Sequence, residues 1–144
     1  MQITKQKIFG TDGVRGRVGV FPMTQHDIYT LARSLGIYLK TKNSSIEKIA
    51  IVSDTRESHS LFEQSIDQGL SSIGIKTIFL GVATTPALAY TVKNSNFDAG
   101  IVISASHNPY HDNGVKIFNS EGIKLTDDIE KKIESIFFSE KDKN

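Results

Sequence analysis

The stretch Gly100–Phe118, GIVISASHNPYHDNGVKIF, decides how this chain is read. Its apolar start, Gly100 to Ile103, reads as a buried strand. A polar knot follows, holding Ser104, Ser106, His107 and Asn108. Pro109 and the Asn113-Gly114 pair turn the chain, and a second apolar run, Val115 to Phe118, carries Lys116. A hydroxyl, an imidazole and an ammonium thus stand close together in sequence at a strand end. Ligands in open α/β sheets bind at the carboxyl ends of strands. An exposed Ser beside His and near Lys is what chemistry on a phosphate or acyl group needs.

Outward from this stretch, helices and strands alternate. Thr24 caps a helix running to about Lys40, with Asp27 in its first turn and Ile28, Leu31, Ala32, Leu35 and Leu39 on one face. Lys42 to Ser45 is a polar loop. Lys48 to Ser53, KIAIVS, reads as a strand buried on both faces, because its apolar residues do not alternate. Ser60 and Glu63 predict a capping box for a second helix, with Phe62, Ile66, Leu70 and Ile73 facing the core and Gly74 ending it. Lys76 to Leu80 is the next strand. Thr85-Pro86 reads as a cap followed by proline at the first helical position of a helix toward Lys93. Ala99 to Ile103 is the strand that delivers the serine motif. An Asn113-Gly114 turn leads to a short strand, Val115 to Phe118. Thr126 caps a last helix built on Ile129, Ile133, Ile136 and Phe137, with Asp127, Asp128 and Glu130 placed well in its first turn. The pattern predicts a three-layer α/β/α domain with a mostly parallel mixed sheet, the last hairpin adding an antiparallel edge. Residues 1–138 form this domain, and the tail SEKDKN, 139–144, is a tail or the start of a linker.

Composition narrows the function. The chain has 144 residues, with 38% hydrophobic and 23% charged content, enough for one folded domain. Seventeen Lys and Arg stand against sixteen Asp and Glu, so the net charge of +1 gives no reason to expect nucleic acid or an acidic membrane as partner. Cysteine is absent, which excludes disulfides, thiol catalysis and thiolate metal sites. No apolar run approaches the roughly 20 residues of a membrane span, and the N-terminus lacks a signal-peptide core. A cytoplasmic domain is expected.

Two segments join Ser106 as candidates. Phe9 to Gly16, FGTDGVRG, spaces Gly10, Gly13 and Gly16 closely, which frees the backbone and lets amides approach an anion. Arg15 within it offers a two-pronged phosphate contact. The spacing is neither a dinucleotide fingerprint nor a P-loop, and a plain glycine turn with a surface Arg fits it equally. Ser106 is the candidate nucleophile or phosphate carrier. His107 need not be its base, because adjacent residues point apart. The G-x-S-x-G elbow of α/β-hydrolases is absent. Alternation leaves Lys116 facing either solvent or a cleft, where it would serve as acid or base. Asp54-Thr55-Arg56, after the KIAIVS strand, reads as a structural ion pair, and His26, His59 and His111 as surface residues. Neither HExxH nor a carboxylate cluster provides a complete metal site.

KIFGTDGVRG, SDTRES, TTPALAY and above all GIVISASHNPYHDNGVKIF resemble the α-D-phosphohexomutase superfamily, from about Lys7 to Leu125. The GTDGVRG and SASHNPYHDNG wording is most similar to that of the bacterial phosphoglucosamine mutases. The resemblance implies a phosphate carried on Ser106, passed to a hexosamine monophosphate through a bisphosphate, with Mg2+ held by Ser106 through its phosphate. It implies proton transfer and charge stabilisation by His107 and Lys116, and phosphate or substrate binding by Arg15 and Asn108. Phosphomannomutase or phosphoglucomutase activity, or a non-catalytic phosphate-binding fragment, are the alternatives. Family enzymes have four domains, and this chain resembles the first. The metal loop, sugar loop and second phosphate loop belong to the others, so C-terminal domains of the same enzyme are expected partners and the chain alone is expected to be inactive. The family's DTRxSG reads DTRESHS here, with His59 at the glycine.

Overall fold

The computed structural model describes residues 7–143. In chain order the elements are β1 Val14–Arg17, α1 Gln25–Lys42, β2 Lys48–Ser53, α2 His59–Ser71, β3 Lys76–Val82, α3 Thr85–Asn94, β4 Ala99–Ile103, β5 Asp112–Asn119 and α4 Asp127–Asp142. They form one five-stranded sheet in the order β1-β5-β4-β2-β3. β3, β2 and β4 run parallel, while β5 is antiparallel to β4 and β1 antiparallel to β5. The sheet is mixed, as the sequence predicts; β5 runs against the other four strands, and it lies inside the sheet rather than at the expected edge because β1 pairs on its outer side.

Alternation along the strands builds two cores. Ile49 and Ile51 of β2, Ile101 and Ile103 of β4, and Val115 and Ile117 of β5 face one side. There they meet Ile28, Leu31 and Leu35 of α1, Phe62, Ile66 and Leu70 of α2, and Ile133 and Phe137 of α4. Ala50, Val52, Val102 and Phe118 face the other side, against Leu88 and Val92 of α3. Three helices thus cover one face and one helix the other, the layered solution that buries both faces of a sheet. Local signals set the helix starts. Thr24 and Asp27 close a complete capping box on α1, and the Thr126 hydroxyl accepts from the Ile129 amide on α4. α4 runs through Asp142, and its last turn sets Lys141 against Asp27 and the Phe21 ring.

Several boundaries differ from the sequence reading; α4 continues through 139–142, read as a tail, because Lys141 in its last turn packs against Asp27 and the Phe21 ring. Asn113-Gly114 is no turn: it lies inside β5, where Arg15 pairs with Gly114 and Gly16 with Asn113. The glycine answers a close approach, since a Cβ there would stand 2.7 Å from the Ser104 carbonyl oxygen and 2.8 Å from that of Val14. α2 begins at His59, so Ser60 and Glu63 lie inside the helix and form no capping box. Ser58 precedes it without capping it, because its hydroxyl accepts from Asn113 Nδ2 at 2.7 Å, and Glu63 instead meets His59 Nδ1 at 3.3 Å. Thr84 caps α3, accepting from the Ala87 amide, which puts Pro86 at the second helical position. β3 extends two residues further, to Val82.

The topology positions the site. α2 links β2 to β3 on one flank, and α3 then carries the chain back past β2 to β4. Strand order therefore reverses between the carboxyl ends of β2 and β4, the place where open α/β sheets bind ligands. The loops leaving those two ends are the DTRES segment and the serine motif.

Candidate active site

The serine motif leaves β4 as a tightly folded loop. The Ser104 amide donates to the Gly114 carbonyl at 2.9 Å, keeping the loop's start on β5. The Ser104 hydroxyl accepts from the Ser106 amide at 3.0 Å, and the Asn108 amide donates to the Ala105 carbonyl at 2.9 Å. Ser106 takes φ of 50°, a left-handed backbone that non-glycine residues seldom adopt. Such a residue costs about 1–3 kcal/mol and persists only where its surroundings over-determine it.

Arg56 supplies those surroundings. Its Nη2 donates to the Ser106 carbonyl at 2.7 Å. Its Nη1 reaches the carbonyls of Pro109 at 2.8 Å, Asn108 at 3.2 Å and Asp112 at 3.2 Å. Nε donates to Asp54 Oδ2 at 2.9 Å, and Asp54 Oδ1 accepts from the Arg56 amide. The expected Asp–Arg pair exists, but most of the guanidinium serves the serine loop. Asn113, fully buried on β5, ties the same two segments together through Ser58.

Three of the sequence candidates gather around the serine. Lys116 Nζ donates to Ser106 Oγ at 3.3 Å. Lys116 pairs with Val102, so its side chain projects from the α3 face of the sheet, toward the loop that follows β4. Arg15 pairs with Gly114 and projects from the same face, where Nη1 donates to Asn108 Oδ1 at 3.2 Å. Asn108 Nδ2 continues to Asp112 Oδ2 at 3.1 Å. The glycine turn before β1 presses onto β5 beside Lys116: Gly13 has φ of 84°, and a Cβ there would lie 2.3 Å from the Val115 carbonyl oxygen. Glu134 of α4 anchors the segment before the turn by accepting from the amides of Ile8 and Phe9. His107 is exposed beside the cluster, and its ring makes no hydrogen bond among the described residues. His26 and His111 are exposed, and His59 is half-buried.

The arrangement brings a hydroxyl under an ammonium, sets a guanidinium on Asn108 two residues further along the same loop, and leaves an imidazole exposed. Cations so placed neutralise charge that develops on the hydroxyl oxygen or on a phosphate attached to it. The structure brings the sequence candidates Ser106, Lys116, Arg15 and Asn108 into one cluster, and adds Arg56, read from sequence as half of a structural ion pair, as the residue that holds the loop. Its one signal was position, since Arg56 follows the carboxyl end of a central parallel strand. Among the described residues no three His, Cys, Asp or Glu side chains gather as a metal site. Nor is any helix among the described residues long and apolar enough to cross a membrane.

Comparison with known proteins places this geometry. The family model for phosphoglucomutase/phosphomannomutase, alpha/beta/alpha domain I, matches residues 6–144. The phosphoglucosamine mutase of Campylobacter jejuni is 50% identical over 135 residues, covering 94% of this chain and 30% of that protein. That of Caldicellulosiruptor bescii is also 50% identical, with the same coverage. The chain thus spans 30% of the length of these curated relatives. A phosphoglucomutase/phosphomannomutase family protein from Burkholderia thailandensis superposes with a TM-score of 0.79 at 20% identity, over 93% of this chain and 30% of its own, and shares the fold. With the serine loop, the glycine turn and the mixed five-stranded sheet all within the matched residues, the chain belongs to the phosphoglucomutase/phosphomannomutase alpha/beta/alpha domain I family.

Proposed function

We propose that this chain is the phosphoserine-bearing domain of a phosphoglucosamine mutase, acting in the cytoplasm on glucosamine 6-phosphate and glucosamine 1-phosphate. The observation that carries the reading is Lys116 Nζ at 3.3 Å from the oxygen of a serine held in a left-handed turn. A sugar hydroxyl attacks the phosphorus on Ser106, the P–Oγ bond breaks, and a sugar bisphosphate forms. Lys116 donates to Oγ and so stabilises it as it leaves. The proton of the sugar hydroxyl goes to His107, whose free ring suits a base facing substrate. After the bisphosphate reorients, Ser106 Oγ attacks the phosphorus of its other phosphate, the P–O bond to the sugar breaks, His107 returns its proton to the departing sugar oxygen, and the phosphoserine is restored. Arg15, with Asn108 fixing its guanidinium, holds the phosphate in line. Phosphoryl transfer rests mainly on such positioning and charge neutralisation.

Mg2+ would neutralise phosphate charge; Ser106 would offer it one phosphate oxygen, and carboxylates of the remaining domains the other ligands. The names of the relatives support glucosamine phosphate over mannose or glucose phosphate. A coupled assay of the complete enzyme with the three 6-phosphates tests the choice. Glucosamine 6-phosphate should give the highest kcat/KM, and a preference for mannose 6-phosphate would overturn it. The 144-residue chain alone should show no turnover, since it contains none of the expected sugar-binding segments.

A further inference from the structure

We infer that Arg56 is a positioning residue for Ser106, setting where Oγ stands by filling a hole made of backbone carbonyls. The inference rests on the phosphoryl-transfer reading of Ser106. The carbonyl oxygens of Ser106, Asn108, Pro109 and Asp112 converge on one guanidinium, between 2.7 and 3.2 Å away. Converging carbonyl dipoles repel one another unless a cation or several N–H groups lie between them. Arginine offers five N–H donors in a rigid fork and stays charged. Here Nε is committed to Asp54, which fixes the fork's direction, and the two terminal nitrogens serve the loop. The Arg56 side chain is only 10% exposed, and burying a guanidinium is tolerable only when it is paired and hydrogen-bonded, as this one is.

Without Arg56 the loop keeps few bonds of its own: Ser106 amide to Ser104 hydroxyl, Asn108 amide to Ala105, Asn108 Nδ2 to Asp112 Oδ2, and Asp112 amide to Pro109. None of them holds the Ser106 carbonyl. Releasing that carbonyl frees the left-handed residue to relax, and Oγ then leaves Lys116. Arg56 touches neither Oγ nor the reacting atoms, so it acts through Ser106. A lysine at 56 retains the charge but not the fork, and it cannot span the four oxygens.

The test compares the wild-type chain with Arg56→Ala and Arg56→Lys, uniformly labelled with 15N, by amide hydrogen exchange. The amides of Asn108 and Asp112 should exchange about tenfold faster or more in both variants, the size expected on losing hydrogen bonds to a charged donor. The amides of Ile51 and Ile101 should stay within about twofold of wild type, as befits core strands. In the complete enzyme Arg56→Lys should lower kcat by about tenfold or more and leave KM within about twofold, the mark of an interaction lost in the transition state. Added guanidinium ion should partly restore Arg56→Ala. Unchanged loop protection overturns the inference, as does equal acceleration in loop and core. Failure of both variants to fold also overturns it, making Arg56 a folding residue. Absence of phosphate on wild-type Ser106 would sink the phosphoryl-transfer reading instead, leaving the exchange ratio to judge Arg56 separately.

Discussion

β5 is entered and left by two connections built on opposite plans. The turn after it, from Asn119 to Thr126, holds itself. Asn119 Oδ1 accepts from the amides of Glu121 and Ile123, the Asn119 amide donates to the Ile123 carbonyl, and the Gly122 amide to the Asn119 carbonyl. The loop before it, from Ser104 to His111, is held from afar, by Arg56 about fifty positions upstream and by Arg15 from β1. The difference lies in what remains free. In the turn, the asparagine side chain is consumed by its own backbone. In the serine loop, a distant guanidinium carries the backbone carbonyls, so the Ser106 hydroxyl and the His107 ring stay available for chemistry. Changes at the serine loop should therefore strike activity, and changes at the turn should strike stability.

The largest effect is expected at Lys116. Lys116→Ala in the complete enzyme should lower kcat about 10²–10³-fold, as removal of one stabilising donor at a reacting oxygen does. Its thermal midpoint should barely move, because Lys116 is only half-buried and a cation that keeps its contact with water contributes about 0–1 kcal/mol to folding. Arg15→Lys should lose about tenfold in kcat/KM, since an ammonium cannot reproduce the planar contact. A large fall in melting temperature, with activity tracking the folded fraction, would erase the contrast.

Gly122→Ala probes the turn. Gly122 has φ of 75°, and a Cβ there would meet the Ala89 carbonyl oxygen at 2.4 Å. Denaturant unfolding should show a loss of about 2 kcal/mol, from backbone strain plus overpacking. Turnover per folded molecule should stay at the wild-type level; a selective loss of turnover would show that the turn serves the site.

The smallest effect concerns Glu130, buried on α4 with Lys124 Nζ at 3.2 Å. Burial pushes its carboxyl above the ordinary value of 4.5; Lys124 opposes this through a hydrogen bond and its charge, and Asp127 and Glu134 add to it. A raised folded-state value means a stabilising contribution complete below 4.5 and lost as pH rises through that value. Wild type should therefore lose stability relative to Glu130→Gln as pH rises from that range toward neutrality. A gap that widens in wild type's favour would reverse the assignment, and activity per folded molecule should not distinguish the two.

The same contrast explains what the sequence makes legible. β2 and β4 have the bounds their unbroken apolar runs predict, and the Thr24 and Thr126 caps depend on neighbours three residues away. β1 is not legible, because VRGR carries one apolar residue and shows no period. Without β1, Asn113-Gly114 reads as a turn, since the pairing with Gly16 and Arg15 that draws it into β5 is invisible. Ser106 and Lys116 stand out through the motif that contains them. The work of Arg56 does not, because a residue's grip on carbonyls fifty positions away leaves no local pattern.

A serine loop held open for chemistry should carry its phosphate on Ser106. Intact-mass and fragment spectra of the complete enzyme test it most directly. One phosphate is expected, located on Ser106, and lost together with all activity in Ser106→Ala. Phosphate on Ser104 with Ser106→Ala fully active would contradict it.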